Sequence, residues 1–208
     1  MQLNVKRIPQ LLNIAIALGF LVFSVYLFAY GTLEDDQFRA YMAAVSAALS
    51  LMPTFIYHTT DWKKYVSYHA MNYVEMMVAL LLVLNGLGAL GFYQTIQYYD
   101  LALHIVNPLL GTLVIAILIG EYLQSVKKYR LIRVQLWTAL SIFTFMCLWE
   151  VWEYWGDVIF GTAMFGQNGE WYFDTLSDIV GGICGSIAAL LLNIKYLNPL
   201  LSWLNKRN

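Results

Sequence analysis

Six long apolar runs determine what this chain can fold into. A bilayer core takes about 20 helical residues to cross, and in lipid only helices or closed barrels satisfy every backbone polar group. Only 12% of the residues are charged, against about 25% in soluble domains, which indicates an integral membrane protein. We predict an all-α polytopic membrane protein, a bundle of six transmembrane helices in a single domain over residues 1–208, with spans near 11–30, 40–57, 70–92, 101–123, 131–155 and 176–194.

The basic residues are distributed very unevenly between the two sides of these spans. Of the 12 lysines and arginines, all but Arg39 fall in segments on one side. Because basic segments stay in the cytoplasm, this asymmetry predicts cytoplasmic N and C termini and a place in the inner, or plasma, membrane. The chain has no basic footprint for nucleic acid, and membrane lipids are its expected partners. The sequence indicates no oligomeric state.

Three spans each carry a pair of ionisable residues at the end opposite the basic segments. Within each pair the residues are three or four apart, so both side chains share one face of the helix. The pairs, on spans four, five and six, are Asp100 with His104, Glu150 with Glu153, and Asp174 with Asp178. We expect the three faces to enclose one polar pocket, one or two turns below the membrane surface.

The carboxylates of this pocket need compensation, because ionised groups are costly in a poorly hydrated environment. They can protonate, pair with a base or bind a cation. No lysine or arginine lies on these faces, so a divalent metal ion is the simplest compensation, and oxygens with one imidazole suit Zn, Mn or Fe(II). The predicted metal ligands are His104, Glu150, Glu153 and Asp178, and the predicted catalytic bases are Asp100 and Asp174.

Structural roles compete with these assignments. Asp100 and Asp174 can cap the helices that follow them, and Thr175 to Asp178 has the form of a capping box. Capping does not explain Glu150 and Glu153, which fall at the predicted C-terminus of a helix, where the dipole disfavours anions. A lone histidine such as His104 is also common as a hydrogen-bonded core residue.

Three further expectations concern packing and the segment after span five. Gly181-x-x-x-Gly185 predicts a close helix contact that draws span six towards span five. The two cysteines, Cys147 and Cys184, lie in apolar runs and are expected in the core. The glycine-rich and aromatic segment Gly156–Phe173 has the composition of a flap over the acidic pocket, or of an ordinary loop resting at the membrane interface.

The second half of the chain resembles known families. The carrying motifs are Asp100-x-x-x-His104, Trp149-Glu150-x-x-Glu153, and Asp174-Thr175-x-x-Asp178 with Gly181-Gly182. Together they resemble the YjdF-like family of uncharacterised bacterial inner-membrane proteins and, more distantly, the VanZ-like family. The resemblance covers residues 98–192, and Glu153 stands where the VanZ-like pattern has glutamine. It implies the cell envelope as the location, together with candidate residues rather than a reaction.

These observations favour a metal-dependent membrane enzyme acting on a lipid or lipid-linked envelope substrate. One alternative is a cation or proton transport protein that uses the same acids, and another is a non-catalytic membrane scaffold. Transport favours acids spread through the bilayer depth, and Glu75 is the one embedded acid that we place away from the cluster. No nucleophile motif or nucleotide fingerprint indicates a more specific reaction.

Overall fold

Six helices are long and apolar enough to cross a membrane, which confirms the predicted all-α fold. The computed structural model describes residues 8–31, 36–161 and 171–205. A 3₁₀ turn, Asp61–Lys64, precedes the third helix, and a π-helical turn, Gly88–Phe92, with the short helix Tyr93–Thr95 follows it. The long helices are α1 (Ile8–Tyr30), α2 (Asp36–Thr59), α3 (Tyr68–Leu87), α4 (Tyr99–Ser125), α5 (Leu131–Phe160) and α6 (Trp171–Asn205).

The last two helices are longer than the predicted spans 131–155 and 176–194. Hydropathy falls at charged residues, but the backbone hydrogen bonds of a helix continue through them when their side chains find partners on other helices. Helix α5 ends where Gly161 adopts a left-handed conformation, with φ of 66°. Glu150 and Glu153 therefore lie two or more turns inside α5, and the prediction that they sit at a helix C-terminus is wrong.

The observed starts of α4 and α6 also rule out the helix-capping roles considered for Asp100 and Asp178. Helix α4 begins after Tyr98, which has a left-handed conformation with φ of 63°, so Asp100 lies inside the first turn rather than at the N-cap. Helix α6 already begins at Trp171, so Thr175 cannot open a capping box there. Asp178 consequently lies about two turns inside α6, where capping does not account for an acid.

Close packing of α6 on α4 positions the two helices. A Cβ atom on Gly185 would overlap the carbonyl oxygen of Ile105 on α4, whereas one on Gly182 would lie 2.6 Å from the Met146 side chain on α5. Helix α6 packs far more extensively on α4 than on α5. The Gly185 contact is therefore with span four rather than span five, while Asp178 still reaches the glutamates of span five, with ligand atoms within 4.8 Å.

The ends of the bundle differ in character. We call the end near the His104 turn of α4 the acidic end, and the end that holds Lys63 and Lys64 the basic end. A buried apolar cluster fills the basic end, with members from α3, α4, α5 and α6; they include Met71, Val74, Ile117, Val134, Leu197 and Leu201. The acidic end thus depends on polar contacts and small residues more than on a large apolar core.

Both cysteines are free and exposed on the helix surface, so the expectation that they lie in the core is wrong. Many large apolar side chains are likewise exposed, among them Leu148, Val151 and Ile187. In a bilayer the outward face of a helix is as apolar as the inward face, because it contacts lipid. Hydrophobicity alone therefore does not distinguish the two faces.

We expect Gly185→Ala to destabilise the folded protein by about 1–3 kcal/mol, the usual cost of overpacking, because its methyl group would meet the backbone of Ile105. Thermal unfolding in detergent measures the loss. Gly19→Ala is the matched control, since a Cβ at Gly19 has nothing within 4 Å. Equal melting temperatures for both variants would contradict the close α4–α6 contact.

Candidate metal centre

The imidazole of His104 lies at the meeting point of three helices. Its Nε2 atom is 3.7 Å from Asp100 Oδ1 on α4, 3.9 Å from Glu153 Oε1 on α5 and 3.7 Å from Asp178 Oδ2 on α6. Glu153 and Asp178 are buried, whereas the Asp100 side chain is 52% exposed. The structure therefore brings the predicted residues of all three spans together around one nitrogen.

These separations are too long for direct hydrogen bonds, which join heavy atoms at about 2.7–3.2 Å. They match atoms that share an ion. Two ligands each about 2.1 Å from one metal lie roughly 3.0–4.2 Å apart as the angle between them widens from a right angle to a straight line. Each of the three separations from His104 therefore lies within the range that two ligands of one cation span.

Ligand atoms form two overlapping groups. Asp100, His104 and Asp178 make one group, and Glu150, Glu153 and Asp178 make the other; within each, the atoms lie within 4.8 Å of one another. Asp178 belongs to both groups, so its carboxylate can bridge neighbouring cation positions. Bridging carboxylates of this kind are typical of two-metal sites, where the ions lie about 3.5–4 Å apart.

Glu153 is held in place by a tryptophan on its own helix. The indole Nε1 of Trp149 donates a hydrogen bond of 2.7 Å to Glu153 Oε1, the same oxygen that faces His104. The four-residue spacing puts both side chains on one face of α5. Trp149 thereby orients the carboxylate, a role that the sequence pattern of clustered aromatic residues does not distinguish from an interfacial belt.

Glu150 lies beside Thr175 at the contact between α5 and α6. Its Oε2 atom is enclosed, and it accepts no hydrogen bond of normal geometry from the described residues. The Thr175 hydroxyl on α6 lies nearby and is equally unsatisfied. A buried acceptor needs a partner, and for Glu150 either the Thr175 hydroxyl or a cation would serve.

Asp174 lies at the edge of the cluster. It is half-buried in the first turn of α6 and close enough to Asp100 and His104 for electrostatic interaction, but it belongs to neither group of ligand atoms. Asp100 is exposed and adjacent to His104, so its position suits either a ligand or a base. The roles assigned to these residues from the sequence stay predictions.

Two buried glutamates of the described part of the chain lie outside this cluster, and sequence analysis found one of them. Glu75 accepts a hydrogen bond from the Thr54 hydroxyl on α2. Glu121 is 3% exposed at the basic end of α4 and accepts a hydrogen bond of 3.0 Å from the backbone N–H of Ser67. The signal for Glu121 was present in the sequence, since it follows a long apolar run that ends in Gly120.

A reciprocal amide pair was also missed. Asn85 on α3 and Asn107 on α4 exchange hydrogen bonds of 3.2 and 3.1 Å. Asn107 lies one turn from His104, so this pair connects α3 to the helix that carries the imidazole.

The predicted flap is a separate case: α5 continues through Phe160, and residues 162–170 lie outside the described part of the chain.

Comparison with known proteins finds a matching protein family. Residues 14–199 match a family model described as "Predicted membrane protein (DUF2238)", so the similarity extends over the first three helices as well as the second half. No curated protein and no solved structure matches. The family description names neither of the resemblances drawn from the motifs, and the VanZ-like resemblance finds no support.

Proposed function

The chain belongs to the DUF2238 family of predicted membrane proteins. We propose that its acidic cluster binds a divalent metal ion and that the protein is an enzyme that acts on a lipid or lipid-linked envelope substrate. The observation that carries the proposal is the position of His104 Nε2, 3.7–3.9 Å from carboxylate oxygens on three helices. The ligands are His104, Glu150, Glu153 and Asp178, and the bound ion is Zn, Mn or Fe(II).

The chemistry follows from the placement of these groups at one end of the bundle. A divalent ion there would polarise an ester or phosphate oxygen of the substrate. Asp100 is 52% exposed beside His104, so it can reach both the cluster and an incoming group and hold a proton as general base. We propose the same role for Asp174 on α6, which lies near Asp100 and His104.

We also propose that the acidic end faces the outside of the inner membrane, with both termini in the cytoplasm, on the strength of the basic-residue asymmetry. Gln97→Cys, at an exposed position in the turn before α4, should react with a membrane-impermeant maleimide on intact cells when the two native cysteines are replaced by serine. Lys63→Cys, at the basic end, should react only after permeabilisation. The reverse pattern would overturn the orientation.

We expect Zn or Mn to raise the melting temperature of the protein in detergent and chelator to lower it. An ion that binds only the folded state adds about 2.7 kcal/mol of stability at a hundredfold excess over Kd. Glu150→Gln removes one ligand oxygen and one charge, so the metal-dependent rise should shrink. Thermal unfolding with and without metal, together with elemental analysis of the purified protein, measures both effects.

The matched control for this experiment is Glu75→Gln, which alters a buried acid away from the cluster and should leave the metal response unchanged. If the cluster is instead a proton relay or a scaffold, Glu150→Gln should stabilise the metal-free protein, because fewer acids are then crowded together. Identical melting of the wild type under every metal condition would remove the metal from the proposal.

A second candidate function is cation or proton transport, which is favoured by the two buried glutamates that the structure describes outside the cluster, Glu75 and Glu121. The functions separate in vesicles made from bacterial polar lipids. The enzyme predicts lipid products by mass spectrometry that require metal and disappear in Asp178→Asn. Metal or proton flux across the vesicle membrane without any change in lipid composition would favour transport and contradict the enzyme.

A further inference from the structure

A polar cavity of about 350 Å³ opens at the basic end of the bundle. Lys63 and Lys64 line it from the turn before α3, Glu121 and Gln124 from the end of α4, and Asn205 from the end of α6. Its volume falls within the roughly 300–1,000 Å³ of typical ligand pockets. Charged and amide side chains on its walls suit a polar group rather than a hydrocarbon chain.

The inner wall of this cavity carries an anion without a cationic partner. Glu121 is 3% exposed, and no basic side chain that the structure describes forms an ion pair with it. Its neighbours are neutral groups of one residue: the backbone N–H of Ser67 donates to Oε2, and the Ser67 hydroxyl lies close by. Oε1 accepts no hydrogen bond of normal geometry from the described residues. A buried carboxylate is stabilised by a positive partner, so this wall suits a cationic group.

Two amide side chains add acceptors beside this carboxylate. Asn205 Nδ2 donates a hydrogen bond of 2.9 Å to Gln124 Oε1, which joins the ends of α6 and α4. Gln124 lies three residues after Glu121, so both side chains share one face of α4. The two amide oxygens and the carboxylate offer three acceptors in one cavity, the number of N–H donors on a primary ammonium.

Lys63 adds a positive charge at the exposed side of the cavity. It is exposed and pairs with no acid among the residues that the structure describes, whereas Lys64 Nζ lies 2.7 Å from Asp61 Oδ1. The cavity therefore presents one buried anion and one exposed cation, and neither is neutralised by a neighbouring side chain. A ligand with an ammonium and a phosphate on a short linker complements both charges.

Aromatic side chains indicate that the cavity lies at the level of the lipid headgroups. Tyr65 lines it, and its ring meets that of Tyr122 edge-on, with 5.4 Å between the centroids. Both rings are partly exposed at the end of the bundle. Tyrosines and lysines are typical of the membrane–water interface, where phospholipid heads are the most abundant polar groups.

We propose that this cavity binds the headgroup of an aminophospholipid, a phosphate diester joined to a primary ammonium. The ammonium donates to Glu121 and the amide oxygens, and the phosphate lies against Lys63. The acyl chains stay in the bilayer outside the bundle. This site lies at the opposite end of the bundle from the acidic cluster, and it does not depend on the metal or on the enzyme proposed above.

Methylation of the headgroup tests the role of the ammonium. Native mass spectrometry of the full-length protein in detergent measures the binding of phosphatidylethanolamine, its N-methyl and N,N-dimethyl forms and phosphatidylcholine, all with the same acyl chains. Each methyl group removes an N–H donor and keeps the charge, so binding should weaken along the series. We expect about a tenfold difference between the first and the last, the scale of one hydrogen bond to a charged group.

Variants assign this preference to residues. Glu121→Gln keeps an acceptor for Ser67 but loses the charge, so it should remove most of the preference for the unmethylated lipid. Asn205→Leu, at the exposed end of α6, leaves the Ser67 contact intact and should reduce the same preference. Lys63→Gln should weaken binding of the whole series equally, because all its members carry the phosphate. Glu75→Gln, a buried glutamate on α3, is the control and should change nothing.

Melting temperatures identify any variant that fails to fold, and Asn205→Leu keeps the test open if Glu121→Gln does. Equal binding of the whole methylation series by the wild type would overturn the proposal, and so would an unchanged preference in folded Glu121→Gln. Phosphatidylglycerol bound as tightly as phosphatidylethanolamine would show that the phosphate alone is recognised. Soluble glycerophosphoethanolamine should compete only weakly; competition at the same concentration as the lipid would contradict the lipid as the source of the headgroup.

Discussion

The burial of charge in a medium without water dictates the architecture of the acidic end. Ionisable groups at membrane depth must find partners, and here the partners of His104 come from three different helices. Asp178 has its imidazole neighbour on another helix, so α4 and α6 must pack together for these two groups to meet. The polar cluster thereby specifies which helices meet, a choice that apolar side chains cannot make in lipid.

Small residues make this meeting possible. Gly185 lets α6 touch the backbone of α4 next to Ile105, one residue after the imidazole. With a larger residue there, α6 would stand further from α4, and Asp178, about two turns earlier in α6, would move away from His104. Gly185 thus sets the distance between α4 and α6, and that distance brings the Asp178 carboxylate next to His104.

The fold class and the site residues could both be predicted from the sequence, but for different reasons. Apolar runs of membrane length are unambiguous, and the three-and-four spacing put the acids on shared faces. What the sequence could not supply was the extent of α5 and α6, because hydropathy falls at Asp157, Asp174 and Lys195 while the helices continue. It also could not supply the neighbour of Gly185, the orientation of Cys147 or the pairing of Asn85, since each depends on which helices pack together.

The contact between Glu121 and Ser67 has a consequence for how the protein is made. The carboxylate at the end of α4 accepts the hydrogen bond of the backbone N–H just before α3, 54 residues earlier in the chain. A chain synthesised from its N-terminus inserts α3 before Glu121 exists, so that N–H stays hydrated at the membrane surface until α4 has crossed. The start of the third span therefore gains this partner only when the fourth helix is in place.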